Sequence, residues 1–85
     1  MSYPEEKFLE QLDKLHTTKL GEERIKRNLS LPSECDAVKF CTELIKSGGK
    51  ITKRGKNIYI STDNAVITVN AGSLTIITAH NKSEI

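Results

Sequence analysis

The hydrophobic period changes once along this chain, and the change falls at Ser47-Gly48-Gly49. Before that point apolar residues recur at helical spacing. After it they alternate with polar residues at the two-residue spacing of a strand. A chain written this way puts helices first and a sheet second, which predicts an α+β domain and not an alternating α/β one. The expected architecture is three N-terminal helices packed on one face of a four-stranded antiparallel β-meander.

Phe8, Leu9, Leu12 and Leu15 form one apolar stripe and predict a helix over residues 5–16, with Pro4 in its first turn and Glu5 and Glu6 near its positive end. Thr17 and Thr18 interrupt the stripe and can cap a second helix over 19–29, with Leu20, Ile25 and Leu29 inward. Its outer face carries Glu22–Lys26 and Glu23–Arg27, both at the stabilising i, i+4 spacing. Leu31-Pro32-Ser33 ends it. Ser33, with Asp36 three residues on, predicts the cap of a third helix over 33–47 that turns Val38, Cys41, Leu44 and Ile45 to the core. Glycine then supplies the helix stop.

Residues 50–54, 57–62, 65–70 and 73–80 are β-branched runs separated by Gly55, Asp63-Asn64 and Ala71-Gly72. Connections this short force neighbouring antiparallel strands. Setting Thr62 opposite Ala65 places Ile60 against Ile67 and Ile58 against Val69. Setting Asn70 opposite Ser73 places Val69 against Leu74 and Ile67 against Ile76. These residues share the face expected to meet the helices. The other face carries Tyr59, Ser61, Val66, Thr68, Asn70, Thr75 and Ile77, with no helix left to cover it.

At 85 residues the chain fits a single domain spanning 1–85, with one small core and no room for a buried cofactor beside it. A net charge of +2 demands no polyanionic partner, so only local clustering can argue for one. Cys35 and Cys41 are too few for a disulfide framework, and with the histidines they match no zinc spacing; no cofactor and no metal are expected. The acidic N-terminus has no apolar segment of the signal-peptide kind, and no apolar run reaches membrane-spanning length. The expected location is the cytoplasm.

Two basic clusters stand out. Arg24, Lys26 and Arg27 lie on the second helix, beside Glu22 and Glu23; Lys46, Lys50, Lys53, Arg54 and Lys56 fall in a stretch without an acid. Phosphate contact is one reading of the second cluster, and protection of an edge strand from pairing is the other. On the open face Tyr59 can stack a base, and Ser61, Thr68 and Thr75 can donate to phosphates or base edges. The same face, with Val66 and Ile77, also suits a protein partner or a homodimer. His16 and His80, with Arg27, are the residue types of a metal-independent ribonuclease, which needs a general acid, a general base and a cation for the charged transition state. The leading expectation is a module that contacts RNA or a protein through Lys50, Lys53, Arg54, Lys56, Tyr59, Thr68 and Thr75. A toxin-like ribonuclease and a small protein-binding regulator or phage-type inhibitor are the alternatives.

The runs Leu15-His16-Thr17-Thr18, Arg24-Ile25-Lys26-Arg27-Asn28-Leu29, Arg54-Gly55-Lys56-Asn57, Val66-Ile67-Thr68-Val69-Asn70-Ala71 and Thr75-Ile76-Ile77-Thr78-Ala79-His80 resemble a family of small bacterial proteins catalogued only as a domain of unknown function. The resemblance brings no activity, ligand or catalytic residue. The chain departs from it at Ile58, where that family is expected to carry an aromatic that would extend a stacking platform beside Tyr59. The order of helices and meander also resembles, more loosely, the barnase-like and RelE-like ribonuclease toxins, which implies RNA as a ligand by fold analogy alone.

Overall fold

The computed structural model describes residues 5–82, so the expectation for Pro4 lies outside the described residues. Three α-helices precede four strands: α1 (Glu5–Leu9), α2 (Lys19–Leu29), α3 (Ala37–Lys46), then β1 (Lys50–Arg54), β2 (Asn57–Ser61), β3 (Ala65–Asn70) and β4 (Ile76–Asn81). The sheet is an antiparallel meander in the order β1-β2-β3-β4. The α+β class is as expected. Several boundaries are not.

The first helix stops at Leu9, and a 3-10 turn, Leu12–Lys14, follows it. Phe8, Leu12 and Leu15 still turn inward, at 1%, 8% and 6% exposure. The helix does not run on to residue 16 because Leu15 is extended and His16 pairs with the sheet. The His16 amide donates to the Leu74 carbonyl at 3.2 Å, and the Ile76 amide donates to the His16 carbonyl at 2.7 Å. Two long-range backbone bonds replace the last helical turn.

Thr18 caps α2 by accepting from the Gly21 amide at 3.0 Å. Leu20, expected inward, is 68% exposed, and the buried positions are Gly21 and Ile25. Gly21 lies against Thr17 and the Ile76 carbonyl, where a Cβ would collide with the Thr17 hydroxyl. The helix therefore approaches β4 on its glycine, and hydrophobicity alone rotates it wrongly. At its far end the Asn81 side-chain amide donates to the Asn28 carbonyl at 3.3 Å, so α2 runs alongside β4. The third helix begins at Ala37 and not at Ser33. Residues 32–35 close a turn through Cys35 N–H to the Pro32 carbonyl, which leaves the cap to Asp36, whose carboxylate accepts from the Lys39 amide at 3.1 Å.

In the sheet, Ile58 pairs with Val69 and Ile60 with Ile67, as the hairpin turn requires. The β3–β4 register differs from expectation: Val69 faces Ile76 and Ile67 faces Ala79, with an irregularity at Thr68/Val69. The cause is Asn70. Its side-chain oxygen accepts from the amides of Gly72 and Ser73 at 2.9 and 3.0 Å, and its own amide donates to the Thr75 carbonyl at 2.8 Å. A wider turn forms, Leu74 enters it with φ 58°, and β4 starts at Ile76 instead of residue 73. Similarly Thr62 leaves β2, its hydroxyl taking the Ala65 amide at 3.0 Å.

One buried cluster joins Phe8, Leu12, Leu15, Ile25, Ala37, Cys41 and Ile45 from the helical half to Ile51, Ile58, Ile60, Ile67, Val69, Ile76 and Ala79 from the sheet. On β2, Tyr59 and Ser61 alternate with the buried isoleucines and retain partial exposure. They define the second face of the sheet.

Candidate functional site

The chemically equipped residues gather in two places, at opposite edges of the sheet. On β1 the burial of Ile51 fixes the alternation, so Lys50, Thr52 and Arg54 belong to the second face. Thr52 pairs with Tyr59 and Arg54 with Asn57, which puts the guanidinium-bearing residue next to the tyrosine strand. Thr52, Arg54 and Tyr59 line a shallow concavity of about 440 Å³. Lys53 falls on the opposite face, paired with Ile58, yet is exposed on the edge strand. Lys46, Lys50, Arg54 and Lys56 are exposed as well. Among the described residues the only ion pair is Lys26–Glu22 at 2.8 Å, so none of these five cations is neutralised by a partner there.

Two of the expected face residues behave differently. Thr68 occupies the middle of the second face, between Tyr59 and Thr78, and is only 9% exposed. Thr75 precedes β4 and is bridged to His16 instead of lining the face with Tyr59. Ile58 is fully buried on the core side, so an aromatic there would face away from Tyr59 and could not extend its stacking surface.

At the β4 edge the His16–Thr75 bridge builds a corner. The His16 Nδ1 lies 3.0 Å from the Lys14 carbonyl, which can only accept, so Nδ1 carries the proton. In the neutral ring Nε2 then accepts from the Thr75 hydroxyl, 3.0 Å away. The Thr75 hydroxyl is 2.8 Å from that of Ser73. Leu74, between them, holds a left-handed conformation that costs a branched residue of order 1–3 kcal/mol, and such strain concentrates at functional sites. Its buried side chain and its amide bond to the Asn70 carbonyl at 2.8 Å hold it there. Beside this corner is a cavity of about 530 Å³ whose lining includes Lys7, Lys14, His16, Gly72 and Ser73. Lys7, Lys14 and Ser73 were not singled out by sequence reasoning; the Asn70-Ala71-Gly72-Ser73 turn chemistry was the one signal that could have marked the place.

His80 lies at the other end of β4, paired with Val66 on the second face. From Thr75, where His16 is bridged, to His80 is a strand span of about 16 Å. The two histidines do not meet, and one phosphate cannot lie between them. Arg27 is exposed in the last turn of α2, next to Asn28, which donates to the Thr78 hydroxyl at 3.4 Å. It belongs to the His80 half of β4, away from His16. Burial, with the neighbouring Cys35 adding to it, pushes the Cys41 thiol up to about 12, so it stays protonated and serves packing. Among the described residues no group of His, Cys, Asp and Glu is placed to hold a metal, and no helix is long and apolar enough to cross a membrane.

These features define a small α+β protein built on a four-stranded antiparallel meander, with a basic hairpin at one edge and a histidine–hydroxyl corner at the other. The chain belongs to the family described as Protein of unknown function (DUF3781), which matches residues 9–80. That membership agrees with the resemblance carried by the sequence runs. No curated protein and no solved structure matches the chain, so the looser resemblance to the ribonuclease toxins is not supported by a relative.

Proposed function

We propose that the protein is a binding module for single-stranded RNA, and that it uses the second face of the sheet together with the basic segment 46–56. The observation that carries this reading is the concavity formed by Thr52, Arg54 and Tyr59 beside exposed Lys50. Single-stranded nucleic acid is held where an aromatic ring offers a stacking surface and flanking cations follow the phosphates. Tyr59 and Arg54 supply that pair. Lys46, Lys53 and Lys56 extend the positive rim, and no described carboxylate pairs with any of them. Thr68 contributes little as a donor, being nearly buried.

The test is fluorescence anisotropy of a labelled oligoribonucleotide at several salt concentrations. Replacing Lys53, Arg54 and Lys56 together with Ala is expected to weaken binding at least tenfold and to flatten the salt slope by about 2, at roughly 0.7 per lost phosphate contact. Equal binding by the variant and the natural chain would remove the electrostatic basis of the reading. Absence of any binding would turn attention to a protein partner, for which half-buried Val66 and Ile77 and exposed Leu9 and Leu20 offer apolar contacts.

A further inference from the structure

We propose that the cavity at the His16–Thr75 corner is a second, separate site, one that takes the phosphate group of a small phosphate monoester. It rests on no part of the RNA reading and lies at the other edge of the sheet.

Lys7 and Lys14 line the cavity with His16, none of its described lining residues is acidic, and neither lysine forms an ion pair among the described residues. A doubly charged monoester gains more from two ammonium groups than a singly charged diester does. Size comes next. At about 530 Å³ the cavity falls in the range of roughly 300–1,000 Å³ occupied by small-molecule ligands, and it exceeds what a bare phosphate fills.

The hydroxyl chain supplies direction. Ser73 Oγ has one good partner, Thr75 Oγ1 at 2.8 Å; its other contact, to the Asn70 side-chain oxygen, is 3.3 Å, long for an O–H···O bond, and that oxygen already serves two amides. With the imidazole protonated at both nitrogens, Nδ1–H still donates to the Lys14 carbonyl and Nε2–H donates to Thr75. Thr75 then donates to Ser73, and the Ser73 proton is free to be given to an anion in the cavity. An imidazolium charge thus reaches the ligand through two hydroxyls without the ring moving. A hydrolytic role for the same groups is less well supported, because the hydroxyl bonded to His16 is that of Thr75, a branched secondary alcohol already holding two partners.

The test uses the full-length ¹⁵N-labelled chain and three probes: inorganic phosphate, adenosine 5′-monophosphate, and an oligouridine with free hydroxyl ends whose phosphates are all diesters. The first two are expected to shift the amides of His16, Gly72 and Ser73 saturably. Tighter binding of the nucleotide identifies a phosphorylated small molecule as the source, and equal binding identifies free phosphate. Lys14→Ala, an exposed substitution, should weaken binding about tenfold, the value of one lost charge-assisted contact, and Ser73→Ala should weaken it less. Lys53→Ala should leave it unchanged. The proposal is overturned if inorganic phosphate and adenosine 5′-monophosphate both leave these amides unmoved, or if Lys14→Ala and Ser73→Ala bind as the natural chain does. It is equally overturned if only the oligouridine shifts them and Lys53→Ala abolishes that shift.

Discussion

The basic hairpin and the histidine corner occupy opposite edges of one sheet and are equipped in opposite ways. The β1–β2 hairpin has charge without fixed geometry. Its cations are exposed, none is paired among the described residues, and the one side-chain bond Tyr59 makes is a 3.5 Å contact from Asn57. The corner has fewer charges, and they stand beside side chains fixed by hydrogen bonds: His16 is held through both ring nitrogens, and a left-handed Leu74 is locked between two hydroxyl-bearing neighbours. A surface of the first kind suits ligands that are long and variable, since sequence-tolerant stacking and phosphate attraction need little preorganisation. One of the second kind suits a small ligand of fixed shape, because its donors are already aimed.

The largest expected effect tests whether the corner is the structurally committed half. Ile76→Ala removes a side chain with 1% exposure next to the bridge, and should lower the urea-denaturation free energy by about 2–5 kcal/mol, while Lys53→Ala on the hairpin stays within about 0.5 kcal/mol. Comparable costs at the two positions would break the contrast. A smaller effect sharpens it. Thr75→Val keeps the shape and deletes the bond to His16, which should cost about 1 kcal/mol and shift the His16 ring nitrogen resonances while leaving hairpin amides in place. The smallest is Tyr59→Phe. Its hydroxyl makes only the long contact to Asn57, so stability should change by less than about 0.5 kcal/mol in the same denaturation experiment, and RNA affinity should fall little if the ring acts by stacking.

How far each region was legible follows the same division. Charge is a local property of sequence, and Lys50, Lys53, Arg54 and Lys56 were visible as a cluster before any fold was known. The central register was legible too, because Ile58, Ile60, Ile67 and Val69 alternate on either side of a short turn, and a slip would bury polar residues. The β3–β4 register was not, since one asparagine side chain captured two amides and widened the turn. The rotation of α2 was hidden because its closest contact is glycine, which no hydrophobic pattern marks. The start of the third helix was misplaced because both Ser33 and Asp36 can cap, and only the turn at Pro32 decides between them. His16 and Thr75 were each noticed, but their meeting depends on contacts across 59 residues, which spacing does not encode.

That separation has a consequence for the order in which the molecule is made. Synthesis at about 5–20 residues per second puts roughly 3–12 s between the appearance of residue 16 and that of residue 75. Throughout that interval the Leu15–Thr17 segment has no strand to lie against, and Phe8, Leu12 and Leu15 lack the β4 side of their core. The hairpin closes locally, within microseconds of its own emergence. A nascent chain therefore exposes its basic segment 14 residues (75 − 61), or roughly 1–3 s, before Thr75 can complete the histidine corner, and a polyanion nearby meets the first while the second is still unmade.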